Sequence, residues 1–236
     1  VEEPSVVKKH YFDLGMVLSS MIAYNGGSIS DRPGIAGGVL SQYNISDKIG
    51  VGSGIIVSHH QYQMAGLFLY KSDLDEEMDN LTYGNSYVTE SNEDFSITAI
   101  DIPLNFTFKP GTRKDKGIFF TMGVSSFVYL DERYSSQMTE FTNNPVYNNE
   151  TGDYTSVYTV ESYPVEENHK ALSRFDFAKQ LNLSFGYLIN FDAGSLAIEP
   201  YIKLPLAPMT HKDLLMGYGG IGLVFKPHFL KNKKKD

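Results

Sequence analysis

The sequence predicts an all-β fold: a single closed antiparallel up-and-down transmembrane β-barrel of about eight strands, with short periplasmic turns and long extracellular loops. Three observations lead there. Apolar and polar residues alternate with a period of two over segment after segment, the mark of strands with two unlike faces. No uninterrupted apolar stretch approaches the ~20 residues of a membrane helix, a limit that bears on helices alone, since a barrel strand needs only about 9–11 residues. The connections between the alternating segments are short and long by turns.

The first strand, Tyr11 to Ser20, places Phe12, Leu14, Met16 and Leu18 opposite Tyr11, Asp13, Gly15 and Ser19. Ile35 to Asn44 and Ile49 to Ser58 are glycine-rich strands around the turn Ser46-Asp47-Lys48; in the second, Ile49, Val51, Ile55 and Val57 alternate with Gly50, Gly52, Gly54 and Ser58. The fourth, Ile100 to Lys109, is the clearest: Ile100, Ile102, Leu104, Phe106 and Phe108 against Asp101, Pro103, Asn105, Thr107 and Lys109. Phe120 to Arg133 sets Met122, Val124, Val128 and Leu130 against Thr121, Gly123, Ser125, Tyr129, Asp131 and Arg133. Leu181 to Phe191 carries an apolar stripe broken only by Leu188 on the polar side, and Leu196 to Leu206 sets Leu196, Ile198, Ile202 and Leu204 against Glu199, Tyr201 and Lys203. Leu215 to Phe225 is the last. The turns after the second, fourth and sixth strands are short (Ser46 to Lys48, Pro110 to Lys116, Asp192 to Ser195), and the connections 60–94 and 134–174 are long.

Alternation does not say which face is wet. Eight stripes of large apolar side chains would overfill the lumen of a small barrel, so they are expected to face lipid. The opposite faces combine Gly and Ser with Asp13, Asp101, Asp131 and Glu199 against Lys109, Arg133 and Lys203. Eight strands leave room only for side chains, so Asp13, Asp101, Lys109, Glu199 and Lys203 are expected to plug the lumen; a charge on the lipid face would cost about 2–4 kcal/mol at mid-membrane. The chain is expected to have a periplasmic segment at 1–8, the barrel at 9–229 and a basic periplasmic tail at 230–236. Starting at Val1, it reads as a mature or truncated chain whose export signal, if any, has been removed.

Composition excludes several chemistries. With no Cys there is no disulfide scaffold, thiolate metal site or Cys nucleophile. A net charge of −8 argues against general nucleic-acid binding. Asp73, Asp75, Glu77 and Asp79 form an acidic cluster that can attract calcium, but Met78 stands where an EF-hand loop needs its turn glycine, so solvated loop charge is the expectation. His59 and His60 are strand neighbours that point to opposite faces and cannot share a metal. Ser58, His59, Asp131 and Glu132 are residue types a hydrolase uses, with no spacing that ties them together. No cofactor or metal site is expected, and the chain is expected not to be an enzyme. Residues 134–174 carry Tyr147, Tyr154, Tyr158 and Tyr163 among Asn143, Asn144, Asn148 and Asn149. They read either as a recognition surface or as a hairpin that packs on itself.

The stretches IEPYIKLPLAP (Ile198 to Pro208), IDIPLNFTF (Ile100 to Phe108) and TMGVSSFVYLDERY (Thr121 to Tyr134) resemble the outer-membrane β-barrel proteins abundant in Bacteroidetes. The resemblance covers roughly Lys9 to Phe229. It implies the fold and a place in the bacterial outer membrane, with outer-membrane lipid and another outer-membrane protein as the partners to expect. These are strand-packing motifs and imply no catalysis. Some such proteins are free-standing barrels; others are the C-terminal barrel of signalling chains of anti-sigma type. The chain departs from the pattern at its end, where Phe229 is followed by Leu230 to Asp236 instead of closing on an aromatic residue. The expected role is a non-catalytic anchor or accessory subunit of an outer-membrane assembly. The alternatives are the barrel of a signalling chain, a small solute pore or an outer-membrane enzyme.

Overall fold

The computed structural model describes residues 11–25, 28–64, 68–69, 87–90, 93–112, 116–150 and 152–227. The strands are β1 (Tyr11–Asn25), β2 (Ser28–Ile29), β3 (Gly34–Asn44), β4 (Ile49–Met64), β5 (Phe68–Leu69), β6 (Tyr87–Glu90), β7 (Glu93–Thr112), β8 (Lys116–Tyr147), β9 (Tyr154–His169), β10 (Phe175–Phe191), β11 (Gly194–Pro205) and β12 (Met216–Pro227). They fall in two compact units, 1–62 with 96–132 and 169–236, and 63–95 with 133–168.

In the first unit, β10, β11, β12, β1, β3, β4, β7 and β8 pair in that order, and β8 pairs back onto β10, so the sheet closes on itself. The order is up-and-down and antiparallel, and closure leaves the ring without an edge. The register puts Met16 beside Phe225 and Val39, Leu183 beside Met122 and Ile202, and Ile198 beside Leu223.

The predicted faces hold. Leu104 is 58% exposed and Leu18 64%, while Asp101 is 3% and Lys109 8% exposed. The wall is apolar outside and largely polar inside, the reverse of a soluble barrel. The interior also has an apolar layer the sequence does not announce: Phe119, Ala197 and Val224, with Val17, Leu40 and Leu188 against them. This layer accounts for Leu188 on the supposedly polar face. Phe119 lies across Gly186, its partner on β10; a Cβ there would sit 2.0 Å from the ring, so the glycine is what admits the aromatic.

Two expectations need correction. First, the alternation of β8 slips beyond Tyr129: Phe127 and Tyr129 are buried, then Glu132 and Tyr134, leaving Arg133 exposed and Asp131 half-buried. Asp131 and Arg133 are therefore not lumen charges; Glu132, at 1% exposure, is the buried one. Shortly before the slip, opposite Ser125 to Phe127, β10 is bulged, with the register shifting between Asp176 and Gln180. Ala178 in the bulge has φ 49, and its N–H donates to Ser126 Oγ at 2.9 Å. A bulge adds residues on one strand only and so changes which side chains meet across the pair.

Second, 134–174 is not a loop for most of its length. In the second unit β8 continues to Tyr147 and β9 pairs with it, around a turn in which the Asn148 N–H donates to the Asp153 carbonyl at 2.9 Å. Thr139 Oγ1 and Ser162 Oγ are 2.9 Å apart, and Asn144 Nδ2 donates to Thr159 Oγ1 at 3.2 Å. β6 pairs with β8 at Tyr87 and Phe141, and β5 with β6. Exposed polar residues on both sides of the hairpin hide its period from sequence inspection. The acidic cluster 73–79, the centre of the turn after Thr112 and both basic ends lie outside the described residues.

Candidate functional site

The lumen is where the predicted charges meet. Asp101 on β7 and Lys203 on β11 form an ion pair. Lys203 Nζ also donates to Ser125 Oγ at 3.2 Å and lies 5.6 Å from the centre of the Phe127 ring. Asn182 donates to Ser125 Oγ at 2.9 Å and to Asn105 Oδ1 at 3.0 Å, extending the network across four strands. Toward the short-turn rim a second network runs from Asp13 through Asn44, which donates to it at 2.8 Å, to Lys109, whose Nζ donates to Asn44 Oδ1 at 3.0 Å. Lys226 donates to Gln42 Oε1 at 2.6 Å. Glu199 accepts from Ser184. So Asp13 and Lys109 share one amide, Asp101 and Lys203 pair directly, and Glu199 stands apart from Lys203. Cavities of about 100 and 70 Å³ lie in the lumen, both lined in part by Glu199. Among the described residues no cluster of metal-ligating side chains occurs.

At the opposite rim His59 and His60 do point apart: His59 Nδ1 lies 2.9 Å from Thr98 Oγ1, and buried His60 Nε2 is 2.9 Å from Tyr218 Oη. Ser58 donates to the Ala99 carbonyl at 3.4 Å, so Ser58, His59, Asp131 and Glu132 do not assemble. Glu132 serves a different histidine. Its Oε2 is 2.5 Å from His211 Nδ1, and its Oε1 accepts the His211 backbone N–H at 3.2 Å. His211 Nε2 lies 3.3 Å from Ser173 Oγ, and the His169 ring stacks on the His211 ring at 4.0 Å.

The two turns that carry Ser173 and His211 are tied to the barrel. Tyr129 Oη donates to Asp176 Oδ2 at 2.7 Å, and the Thr210 N–H donates to the same oxygen at 3.0 Å. Arg174 donates to Asp176 Oδ1 and to Asp213 Oδ1, both at 3.0 Å. Burial alone would lower the Arg174 pKa, but the hydrogen bonds and charges of Asp176 and Asp213 outweigh it and raise it.

No protein-family model and no curated protein sequence matches the chain. Its structure is similar to Ail, the attachment invasion locus protein of Yersinia pestis, at 10% identity and a TM-score of 0.34, over 92% of this chain and 99% of that one. It is also similar to Neisserial surface protein A, at 9% identity and a TM-score of 0.38, over 91% of this chain and 96% of that one. The N-terminal β-barrel domain of Pseudomonas aeruginosa OprF gives 9% identity and a TM-score of 0.27, over 92% of this chain and 99% of that one. Likeness at these levels assigns neither family nor function, and the fold rests on the ring's own strand pairing.

Sequence reasoning missed Ser173, His211, Asp176 and Lys226. The first three stand beside turns or a bulge, where no period points to them. Lys226 falls one residue past the predicted end of the last strand. The tyrosines expected to make partner contacts, Tyr147, Tyr154, Tyr158 and Tyr163, are all exposed on the hairpin, with the Tyr147 and Tyr154 rings 5.1 Å apart.

Proposed function

We propose that this chain is a bacterial outer-membrane barrel whose lumen is blocked by its own side chains and whose working surfaces are the long-connection rim and the hairpin of β8 and β9. The observation that carries the reading is the inversion of the wall: Ile102, Leu104, Phe106 and Phe108 face out while Asp101, Thr107 and Lys109 face in. Monomeric soluble proteins rarely expose apolar patches larger than roughly 300–600 Å², and here apolar side chains line the outside of all eight ring strands. Aromatic pairs near the strand ends support it. Phe12 with Tyr43 (4.9 Å) and Phe191 with Phe225 (6.1 Å) lie toward the short-turn rim, and Phe175 with Phe177 (6.2 Å) toward the other. Aromatic girdles at both interfaces are usual in such barrels.

Purified protein in planar bilayers is expected to show no porin-scale conductance, because Asp101, Lys203, Asn182 and the Phe119 layer occupy the lumen. Large, stable channel steps would replace the plugged barrel with a pore.

In this reading the barrel serves as an anchor, and the hairpin of β8 and β9, with its exposed tyrosines, supplies contact to another outer-membrane protein. Shortening the chain between Asn143 and Asn168 is expected to leave the heat-dependent gel mobility of the barrel unchanged while a co-purifying partner is lost. If the shortened and full chains extract with the same partners, or both run alone, the hairpin is not the binding element.

A further inference from the structure

We propose that Ser173, His211 and Glu132 form an acyl-transfer centre at the rim that hydrolyses a carboxylic ester of membrane lipid, Ser173 acting as nucleophile and His211 as general base. The choice of lipid rests on the membrane reading above; the chemistry of the centre does not. Nothing in the sequence announces it, and it runs against the expectation of a chain without chemistry. Glu132 holds His211 twice, at ring Nδ1 (2.5 Å) and at the backbone N–H (3.2 Å). With the proton on Nδ1, Nε2 is the acceptor that faces Ser173 Oγ at 3.3 Å, a separation usual for such a pair before substrate tightens it. At rest the Ser173 hydroxyl donates to the Lys170 carbonyl at 2.6 Å. Rotation of the hydroxyl proton toward Nε2 needs no movement of Oγ.

The surroundings look built for this. Glu132 is buried at 1% exposure, whereas Ser173 is exposed. Four non-glycine residues among those described have positive φ, and three of them bracket the pair: Leu172 (60°) before Ser173, and Thr210 (67°) and Asp213 (51°) around His211. Strained backbone of this kind costs on the order of 1–3 kcal/mol per residue and persists only where surrounding contacts enforce it. Arg174 supplies such contacts by bridging Asp176 and Asp213, joining the serine turn to the histidine turn.

Location selects the substrate. Leu172, Phe175 and Phe177 are exposed next to the serine, and Leu215 next to the histidine turn. At the rim of a lipid-facing wall these side chains meet acyl chains just below the interface, the depth at which acyl esters of lipids lie. In the first step Ser173 Oγ bonds to the ester carbonyl carbon while its proton passes to His211 Nε2. The tetrahedral adduct collapses, and the lipid alkoxide leaves with that proton. Water then adds to the acyl-serine, giving its proton to His211, and the carboxylic acid departs as Ser173 recovers its hydroxyl hydrogen.

The test uses the full chain, folded in detergent micelles and in vesicles of total outer-membrane lipid extract, with a fluorescent fluorophosphonate as probe. Wild type is expected to form one adduct, mapped to Ser173 by peptide mass spectrometry. Ser173→Ala, which removes one exposed hydroxyl and leaves the barrel's heat-dependent gel mobility as it was, should form none. His211→Ala should slow labelling by about 10²–10⁴-fold. Glu132 is a positioning residue: Glu132→Gln should lower kcat on p-nitrophenyl butyrate with KM unchanged, a split that loss of a merely structural contact would not produce. Absence of an adduct on folded wild type, or an adduct that survives Ser173→Ala, overturns the centre. Labelling without release of fatty acid from the vesicles overturns the lipid substrate and leaves a soluble ester. None of the labelling results depends on whether the wall faces lipid, which a Leu104→Arg substitution on the outward stripe of β7, followed by unfolding in vesicles, decides separately.

Discussion

Replacing Asp101 by Ala is expected to destabilise the barrel by about 3–5 kcal/mol, read from urea unfolding in lipid vesicles. The Asp101 side chain is 4% exposed and that of Lys203 17%. Removing the carboxylate strands the ammonium beside Ser125 and the Phe127 ring, neither of which carries a compensating charge. The double variant Asp101→Leu with Lys203→Met removes both charges and should fall close to wild type, because desolvation of a buried pair offsets most of its attraction. If Asp101→Ala alone matched wild type, water in the cavities would be screening Lys203, and the plug would be looser than its hydrogen bonds imply.

The second large effect concerns the wall. Leu104 sits in the middle of the outward stripe of β7 at 58% exposure. Leu104→Arg is expected to cost about 2–4 kcal/mol in vesicles, since the guanidinium would lie near the bilayer midplane. On a water-facing surface the same change stays within about 0.5 kcal/mol. A shift that small would mean that Ile102, Leu104 and Phe106 do not face lipid, and the membrane assignment would fall.

The barrel was legible because its strands each have two unlike environments. The stripe from Ile100 to Phe108 records an apolar outer face on one side and the lumen on the other, so period two appears directly in the residue types. Where both sides share one environment the signal vanishes, and the stretch that forms the hairpin of β8 and β9 read as a recognition surface or a hairpin, without a period to fix its strands. Asp131 and Arg133 misled for another reason. They continue the polar positions of β8, but the alternation slips after Tyr129, just past Val128, the last β8 residue that pairs with β10, and period counting on one strand cannot see where its neighbour ends. The rim centre was invisible because Ser173 and His211 belong to different turns that only the closed ring brings together. Of the lumen residues, the charges were legible by sign and face. Their pairing was not, since cross-strand partners depend on register: Lys203 meets Asp101, while Glu199 meets Ser184.

The pairing of β1 with β12 has a consequence for biogenesis. These strands come from opposite ends of the described chain, and Met16 finds Phe225 only after everything between them has been made. Until then any nascent segment of the ring presents two raw edges, each a template for wrong pairing. Closing so large a loop adds only a modest entropic penalty, because that penalty grows with the logarithm of length, but contacts so distant along the chain form late and slowly. The ring therefore cannot be completed by a chain that is still being synthesised, and the first strand's last partner is the last strand made.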